Sequence, residues 1–509
     1  MKFGTLMNID SDALAHFLNT VGWEPEGMRE KIDRYFDRYE NRGISDLIFN
    51  LGPCVPSTAD EWAGARYLRR EEQGLPVDYS QNKIAKASHL LYTELGLDPF
   101  AVWLNRTRRA GMRPWISFRM NDVHYANEPT GHSAFFYRAK ANGWMVGDYH
   151  HPRNWYGYAL DYSVPEVRDH FLAIIEEQTQ AYDAFGIDLD FQRTIRCFRE
   201  NSPKNRIYMM DFLRRVREIL NRAEQKWGHP WQVMLRLCTR VKWAYNYGFD
   251  VACLAREGLV NVFVPSAYWG STDSNIPISE WKALCPPEVS VLWGIECNTV
   301  NLWHWITPET VAGYRLMAAA AGADGFYQYN TFGAPWAWKY AAAEDARKEP
   351  LRRFLTVMND IPVPLGWSEP VERYLPLEIP AGGTATLDIL TDRLGKTEQI
   401  CLYVGLLSTS GLTADEVAAQ VSVSIDGVLC APLGRTGTSY LEYHYADRYA
   451  EQENGRYPWR IFTFKVPPEK RGAIGTKPVV AFSSPSAAKV CYFELANGKI
   501  PRKKKGEIQ

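Results

Sequence analysis

The sequence has no long run of charge of one sign. Its 58 lysines and arginines nearly balance 59 aspartates and glutamates, for a net charge of −1. That balance speaks against a nucleic-acid or membrane-surface partner. The one basic cluster, "RKKK" in the tail 501–509, reads as a solvated terminus. No apolar run is long enough to span a bilayer, and "MKFGTLMNIDSD" lacks the apolar core of a signal peptide. The nine cysteines include no CxxC pair and no zinc-like spacing, and an odd number excludes complete pairing within one chain. The expectation is a cytoplasmic protein with free, mostly buried thiols, or a periplasmic or secreted one if a leader has been removed. There is no HExxH, Walker loop or GxSxG, so nothing in the sequence points to a metal or an organic cofactor.

What the sequence does have is apolar and aromatic bulk. Apolar residues make up 46% of the 509, and 18 are tryptophan. A chain of this length suits two or three domains. Up to about residue 330, short β-rich runs alternate with helical stretches. The runs are "FGTLMN", "SDLIFNLG", "PWISFRMND", "GIDLDF", "WQVMLRLC", "VNVFVPSAY", "VSVLWGIEC" and "DGFYQYN". Regular alternation of this kind predicts a parallel sheet, and eight units fit a (β/α)8 barrel. A doubly wound sheet is disfavoured because no Gly-rich phosphate fingerprint follows any strand. Beyond residue 365 the texture becomes short alternating strands between Gly, Pro and Ser turns, as in an antiparallel β-sandwich. The predicted architecture is a (β/α)8 TIM barrel over 1–360, a β-sandwich over 366–500 and the tail 501–509. The oligomeric state stays open.

Barrel chemistry sits at the C-terminal ends of the strands. In "GIDLDF" the period of two puts Ile187, Leu189 and Phe191 on the helix side and Asp188 and Asp190 inside. In "VSVLWGIEC", Glu296 points inward at the end of strand 7. A carboxyl pair at the ends of strands 4 and 7 suits glycoside hydrolysis, which uses a proton donor and a nucleophile or base. Strand 3 offers Arg119 and Asn121, and strand 5 offers Arg236. A buried Asp beside an inward Arg is commonly a structural ion pair, and Asp188 is expected to be one. An arginine left over would hold a carboxylate or sulfate of an acidic substrate. Asp122 and His124 are candidate acid, base or ligand groups, and His150 a sugar-hydroxyl contact. Gln192, Arg193 and Asn330 complete the polar set. Tyr268, Trp303, Trp336 and Trp338 lie in aromatic loops that crowd this end of the barrel, as in a carbohydrate pocket.

The stretch 160–191, "LDYSVPEVRDHFLAIIEEQTQAYDAFGIDLDF", resembles the strand-4 region of glycosyl-hydrolase-like family 10 proteins and related bacterial barrels. "ISDLIFNLG" and "WISFRMNDVH" resemble them too. The resemblance implies a TIM-barrel glycosidase with a strand-4 carboxylate, which maps onto Asp190; it implies no particular substrate. "FGIDLDFQR" also resembles, distantly, the strand of family 18 chitinases that ends in a catalytic glutamate. Phe185 replaces the first aspartate of that pattern and Gln192 its glutamate, so chitinase activity is not expected. The expected function is hydrolysis of an oligosaccharide or polysaccharide, neutral or acidic, by Asp190 and Glu296 with Asp188 in support. The alternative is a barrel that binds carbohydrate and has lost catalysis, for which Gln192 speaks.

Overall fold

The computed structural model describes residues 3–10, 13–51, 83–123, 133–147, 155–267, 272–299, 305–331, 340, 342–356, 375–394, 398–445 and 459–501. Eight parallel strands form a closed barrel in sequence order. They are β1 (Thr5–Ile9), β2 (Ile44–Asn50), β3 (Arg113–Arg119), β4 (Gly186–Asp190), β5 (Gln232–Leu237), β6 (Val262–Pro265), β7 (Ser290–Ile295) and β8 (Gly325–Gln328). Each falls within a few residues of the run read from sequence. β1 closes the ring on β8 with Thr5 opposite Phe326.

Strand alternation sorts the side chains as expected. Ile187, Leu189, Val291, Trp293 and Ile295 join the large core between strands and helices. A second, smaller core fills the barrel itself, with Leu6, Ile48, Trp115, Met234, Val262 and Leu292. At its lower end the Asp46 carboxylate accepts from Arg113 and from the Trp115 indole. A barrel closed off by apolar layers and an ion pair is a packed core, not a pore.

The C-terminal region has two antiparallel sheets, as in a sandwich. One runs β10 (Leu377–Ile379), β18 (Ala488–Gly498), β12 (Gln399–Ser408), β16 (Arg460–Lys465), β15 (Ala431–Gly434). The other runs β11 (Gly383–Asp388), β17 (Val479–Ser484), β13 (Ser422–Ile425), β14 (Val428–Leu429). Phe482 and Phe493 meet edge to face between the sheets at 6.0 Å. One boundary needs correction. β9 (Leu351–Thr356), placed within the barrel span 1–360 by its sequence position, pairs with β18 and belongs to the first of these sheets. A strand's alternation shows which face is buried but not which sheet it will join. β9 also lies tight against the barrel helix Pro308–Ala320: a Cβ on Gly313 would sit 1.9 Å from the Arg353 carbonyl oxygen. Among the described residues, no helix is long and apolar enough to cross a membrane.

Candidate active site

The register across β3, β4 and β5 sets the upper levels of the barrel. Ser117, Asp188 and Met234 share one level, and Arg119, Asp190 and Arg236 share the next. Glu296 follows β7 directly and is fully buried, like Asp188 and Asp190. A Cβ on Gly294 would sit 2.7 Å from the Ser266 side chain, so the bare backbone of β7 lets β6 approach closely beneath Glu296.

Arg236 organises this level. Its Nη1 donates to both oxygens of Asp190, at 2.9 and 3.0 Å. Its Nη2 donates to Glu296 Oε1 and to Ser266 Oγ, the latter at 3.3 Å. The Tyr329 ring lies 3.8 Å from the guanidinium carbon, an aromatic face against a buried cation. Asp190 Oδ1 also accepts from the Arg193 backbone N–H at 3.0 Å. The carboxyl pair expected from the sequence is therefore brought together, with one guanidinium between its members.

Asp188 is not the ion pair expected of it. Its Oδ2 accepts from the Ser117 and Tyr327 hydroxyls at 2.9 and 3.0 Å, and Oδ1 has no hydrogen-bond partner among the described residues. The arginine that alternation placed beside it reaches one level higher, to Asp190. Arg119, the other arginine expected inside the barrel, is not left over for a substrate anion either. It is paired with Asp10 and lies 3.4 Å from Asp122.

The charges explain the protonation of the site. Five carboxyl groups (Asp10, Asp122, Asp188, Asp190, Glu296) face three guanidinium groups (Arg119, Arg193, Arg236), an excess of two acids. Buried in a poor solvent for charge, such an excess is relieved by protonation. Burial, reinforced by Asp190, pushes Asp188 up to about 7. Burial also pushes Glu296 up to about 7, against the pull of Arg236 and Arg193. Burial alone would lower the Arg236 pKa, but Asp190 and Glu296 reverse this and hold it above its ordinary value. One arginine shared between two carboxylates stays charged without making both carboxylates easy to ionise. Glu296 Oε2 is buried and has no hydrogen-bond partner among the described residues.

The remaining candidates divide clearly. Gln192 and Arg193 lie in a buried turn, Gln192–Thr194, that Phe191 joins to Asp190. Asn330, two residues past the end of β8, is in a left-handed conformation (φ 55°), with its Oδ1 buried and without a partner among the described residues. Asn121 is committed elsewhere: its amide donates to the Leu160 and Arg196 carbonyls and accepts from Leu160 N–H, bracing the walls around the site. His124, His150, Tyr268, Trp303, Trp336 and Trp338 lie outside the described residues. Three contributors escaped the sequence reading. Asp10 continues the inward series Leu6, Asn8 one step past β1, and Tyr327 and Tyr329 alternate inward along "DGFYQYN". The same period of two identifies all three. Among the described residues, no group of three or more His, Cys, Asp or Glu side chains is placed to hold a metal ion.

No family model matches this chain, and no curated protein does. The family 10 resemblance of residues 160–191 thus has no counterpart here. Solved structures do match. The glycoside hydrolase domain of PgaB (BpsB) from Bordetella bronchiseptica is 12% identical with a TM-score of 0.38, over 68% of this chain and 98% of that one. The Group IV chitinase of Ostrinia furnacalis in complex with allosamidin is 10% identical with a TM-score of 0.37, over 66% and 97%. Alpha-L-fucosidase isoenzyme 2 from Paenibacillus thiaminolyticus is 12% identical with a TM-score of 0.37, over 69% and 50%. These structural neighbours are glycoside hydrolases; at such identities the likeness concerns the fold alone.

Proposed function

We propose that this chain is a glycosidase, an O-glycosyl hydrolase acting on an oligosaccharide or polysaccharide, with Glu296 as proton donor and Asp190 as its charged counterpart. The observation that carries the reading is the environment of Glu296. It is a buried carboxyl at the end of a barrel strand, pushed up to about 7, with one oxygen free of hydrogen bonds among the described residues. A carboxylic acid that keeps its proton near neutral pH is what the departing glycosidic oxygen needs. As the bond breaks, positive charge develops on the sugar ring. Asp190 then either stabilises that charge and bonds to the anomeric carbon, or takes a proton from an attacking water. Arg236 holds the two carboxyl groups in register. Asp188, one level below, adds a second raised acid that polarises Asp190 from beneath.

The excess of carboxyl groups favours a neutral or cationic sugar over an acidic one at the reacting position, since Arg119 and Arg236 are both committed to carboxylates. In this reading Gln192 and Arg193 would line that position, and Asn330 would offer an acceptor to a sugar hydroxyl. The loops that hold His124, His150, Tyr268, Trp303, Trp336 and Trp338 would supply the aromatic and polar walls of a carbohydrate cleft. In this reading the barrel carries catalysis and the C-terminal sheets form an accessory domain.

The second reading, a non-catalytic carbohydrate-binding barrel, is favoured by one feature: Arg236 already engages both members of the pair. Calorimetry and product analysis on one panel of neutral, amino and acidic oligosaccharides separate the two. Reducing-end release that disappears in Glu296→Gln supports the glycosidase; binding without product on every sugar bound supports the alternative.

A further inference from the structure

Arg236 is gripped differently from Arg353, which is also fully buried. Arg353 uses its whole fork. Its Nη1 donates to Glu494, its Nη2 donates to the Thr438 carbonyl at 3.1 Å, and its Nε lies 3.5 Å from Glu309. Arg236 uses only its two terminal nitrogens. Nη1 is taken by Asp190 and Nη2 by Glu296 and Ser266. Its Nε is buried and has no hydrogen-bond partner among the described residues. A planar fork held only at its two tips can still tilt about the line that joins them, and such a tilt spoils the in-plane geometry of its bonds. Something against the flat face must stop it.

Tyr329 supplies that contact. It lies one residue past β8, the strand beside β7 and across the barrel from β4. The centre of its ring is 3.8 Å from the Arg236 guanidinium carbon. Its backbone N–H donates at 2.9 Å to the carbonyl of Ile295, the residue before Glu296, so the ring is fixed to the strand that carries Glu296. The side chain is fully buried, and its hydroxyl has no hydrogen-bond partner among the described residues. The aromatic face, not the hydroxyl, is therefore the part that meets Arg236. A π face suits the flat side of a guanidinium, which carries no N–H donor of its own.

We propose that Tyr329 is a positioning residue: its ring face holds the Arg236 guanidinium in the one plane from which it donates to Asp190 and Glu296 together. The use of this arrangement rests on the glycosidase reading, in which the two carboxyl groups must keep their places across the scissile bond. The arrangement itself is measurable without activity. Asp190 and Arg236 are register partners on adjacent strands, whereas Glu296 is reached from two strands away. Loss of the ring therefore loosens the Nη2 bond to Glu296 before the Nη1 bonds to Asp190.

The test is a proton–nitrogen spectrum of the full chain labelled with nitrogen-15 arginine, with the two guanidinium groups assigned by Arg236→Lys and Arg353→Lys. A guanidinium that is held still shows separate Nη proton signals, and a loosened one shows a single averaged signal. The native chain is expected to show separate signals for both. Tyr329→Met refills much of the ring's volume without an aromatic face. It is expected to merge the Arg236 signals and leave those of Arg353 apart. Tyr329→Leu is expected to do the same, and Tyr329→Phe, which keeps the face, to leave both sets apart. Separate Arg236 signals in Tyr329→Met or Tyr329→Leu overturn the assignment. Merged Arg236 signals in Tyr329→Phe overturn it as well, because the hydroxyl would then be responsible. So does merging at Arg353 together with Arg236, which means general loosening. In product assays, kcat of Tyr329→Met is expected about tenfold below that of Tyr329→Phe; equal values overturn its part in the reaction. If Glu296→Gln retains full glycosidase activity the functional reading fails, and the spectra still decide the role of Tyr329.

Discussion

Two buried arginines in this protein each join two carboxyl groups, and they do so to opposite effect. Arg236, at the top of the barrel, joins Asp190 and Glu296. Arg353, on β9, joins Glu494 of β18 and Glu309 of the barrel helix. At the junction the donors are sufficient. Both oxygens of Glu494 are engaged, one by Arg353 and the other by Tyr440 N–H and the Tyr492 hydroxyl. Burial would raise the Glu309 pKa, but His444 and Arg353 outweigh it and hold it down at about 2. In the barrel the donors run short: an oxygen of Glu296 and one of Asp188 lack partners among the described residues, and both groups rise to about 7. Burial and an arginine partner are common to both clusters, so neither feature marks a reactive site. The unmet oxygen and the surplus proton do.

The sharpest way to break this contrast is to make the same change in both clusters. Glu296→Gln should lower hydrolysis by about 10²–10⁴-fold while shifting the unfolding midpoint less than its counterpart does. Glu494→Gln should do the reverse, costing about 3–5 kcal/mol of stability by leaving buried Arg353 short of charge, with activity per folded molecule retained. Product assays beside denaturant unfolding of both variants check this; a Glu494→Gln chain that is stable and inactive would reverse the assignment of the two clusters. Next in size is Gly313→Ala. Its Cβ would meet the Arg353 carbonyl, so the variant should lose roughly 1–3 kcal/mol through displacement of β9, without affecting chemistry directly.

The smallest expected effect is in pH. If Glu296 must hold its proton, kcat/KM falls above about 7, by about tenfold per pH unit once the acid is mostly ionised. The stability contributions have opposite signs. Asp188 and Glu296 have folded pKa values above their ordinary ones, so the folded state binds the extra protons and stability falls as pH rises from about 4 to about 7. Glu309 lies below its ordinary value, so its contribution is present above about 4.5 and is lost as pH falls toward about 2. Unfolding midpoints across this range, in the native chain and in Glu296→Gln, measure both slopes.

Much of the site is legible in the sequence because a barrel strand obeys a period of two. "GIDLDF" and "VSVLWGIEC" alone orient Asp188, Asp190 and Glu296, and the same rule applied to "MNID" and "FYQYN" reaches Asp10, Tyr327 and Tyr329. The pairing of Arg236 is not legible. It depends on reaching Asp190 on the adjacent strand and Glu296 two strands away, and alternation says nothing of which level a long side chain will span. Asn121 shows the limit in another way: its inward position follows from the strand pattern, yet its amide is used up on main-chain groups from residues 39 and 75 positions away.

The sequence by itself determined the eight β/α units, the change of texture to antiparallel strands, and the inward face of each carboxylate, because these follow from local periodicity and turn chemistry. Tertiary structure alone decided that Asp190 and Glu296 share one arginine while Asp188 has none, that β9 joins the first antiparallel sheet beside β18, and that Tyr440 reaches the ends of the loop after Glu296. Each of these depends on contacts between distant segments, whose strength is set by burial and by how many donors and acceptors meet in one place. No local pattern records that sum.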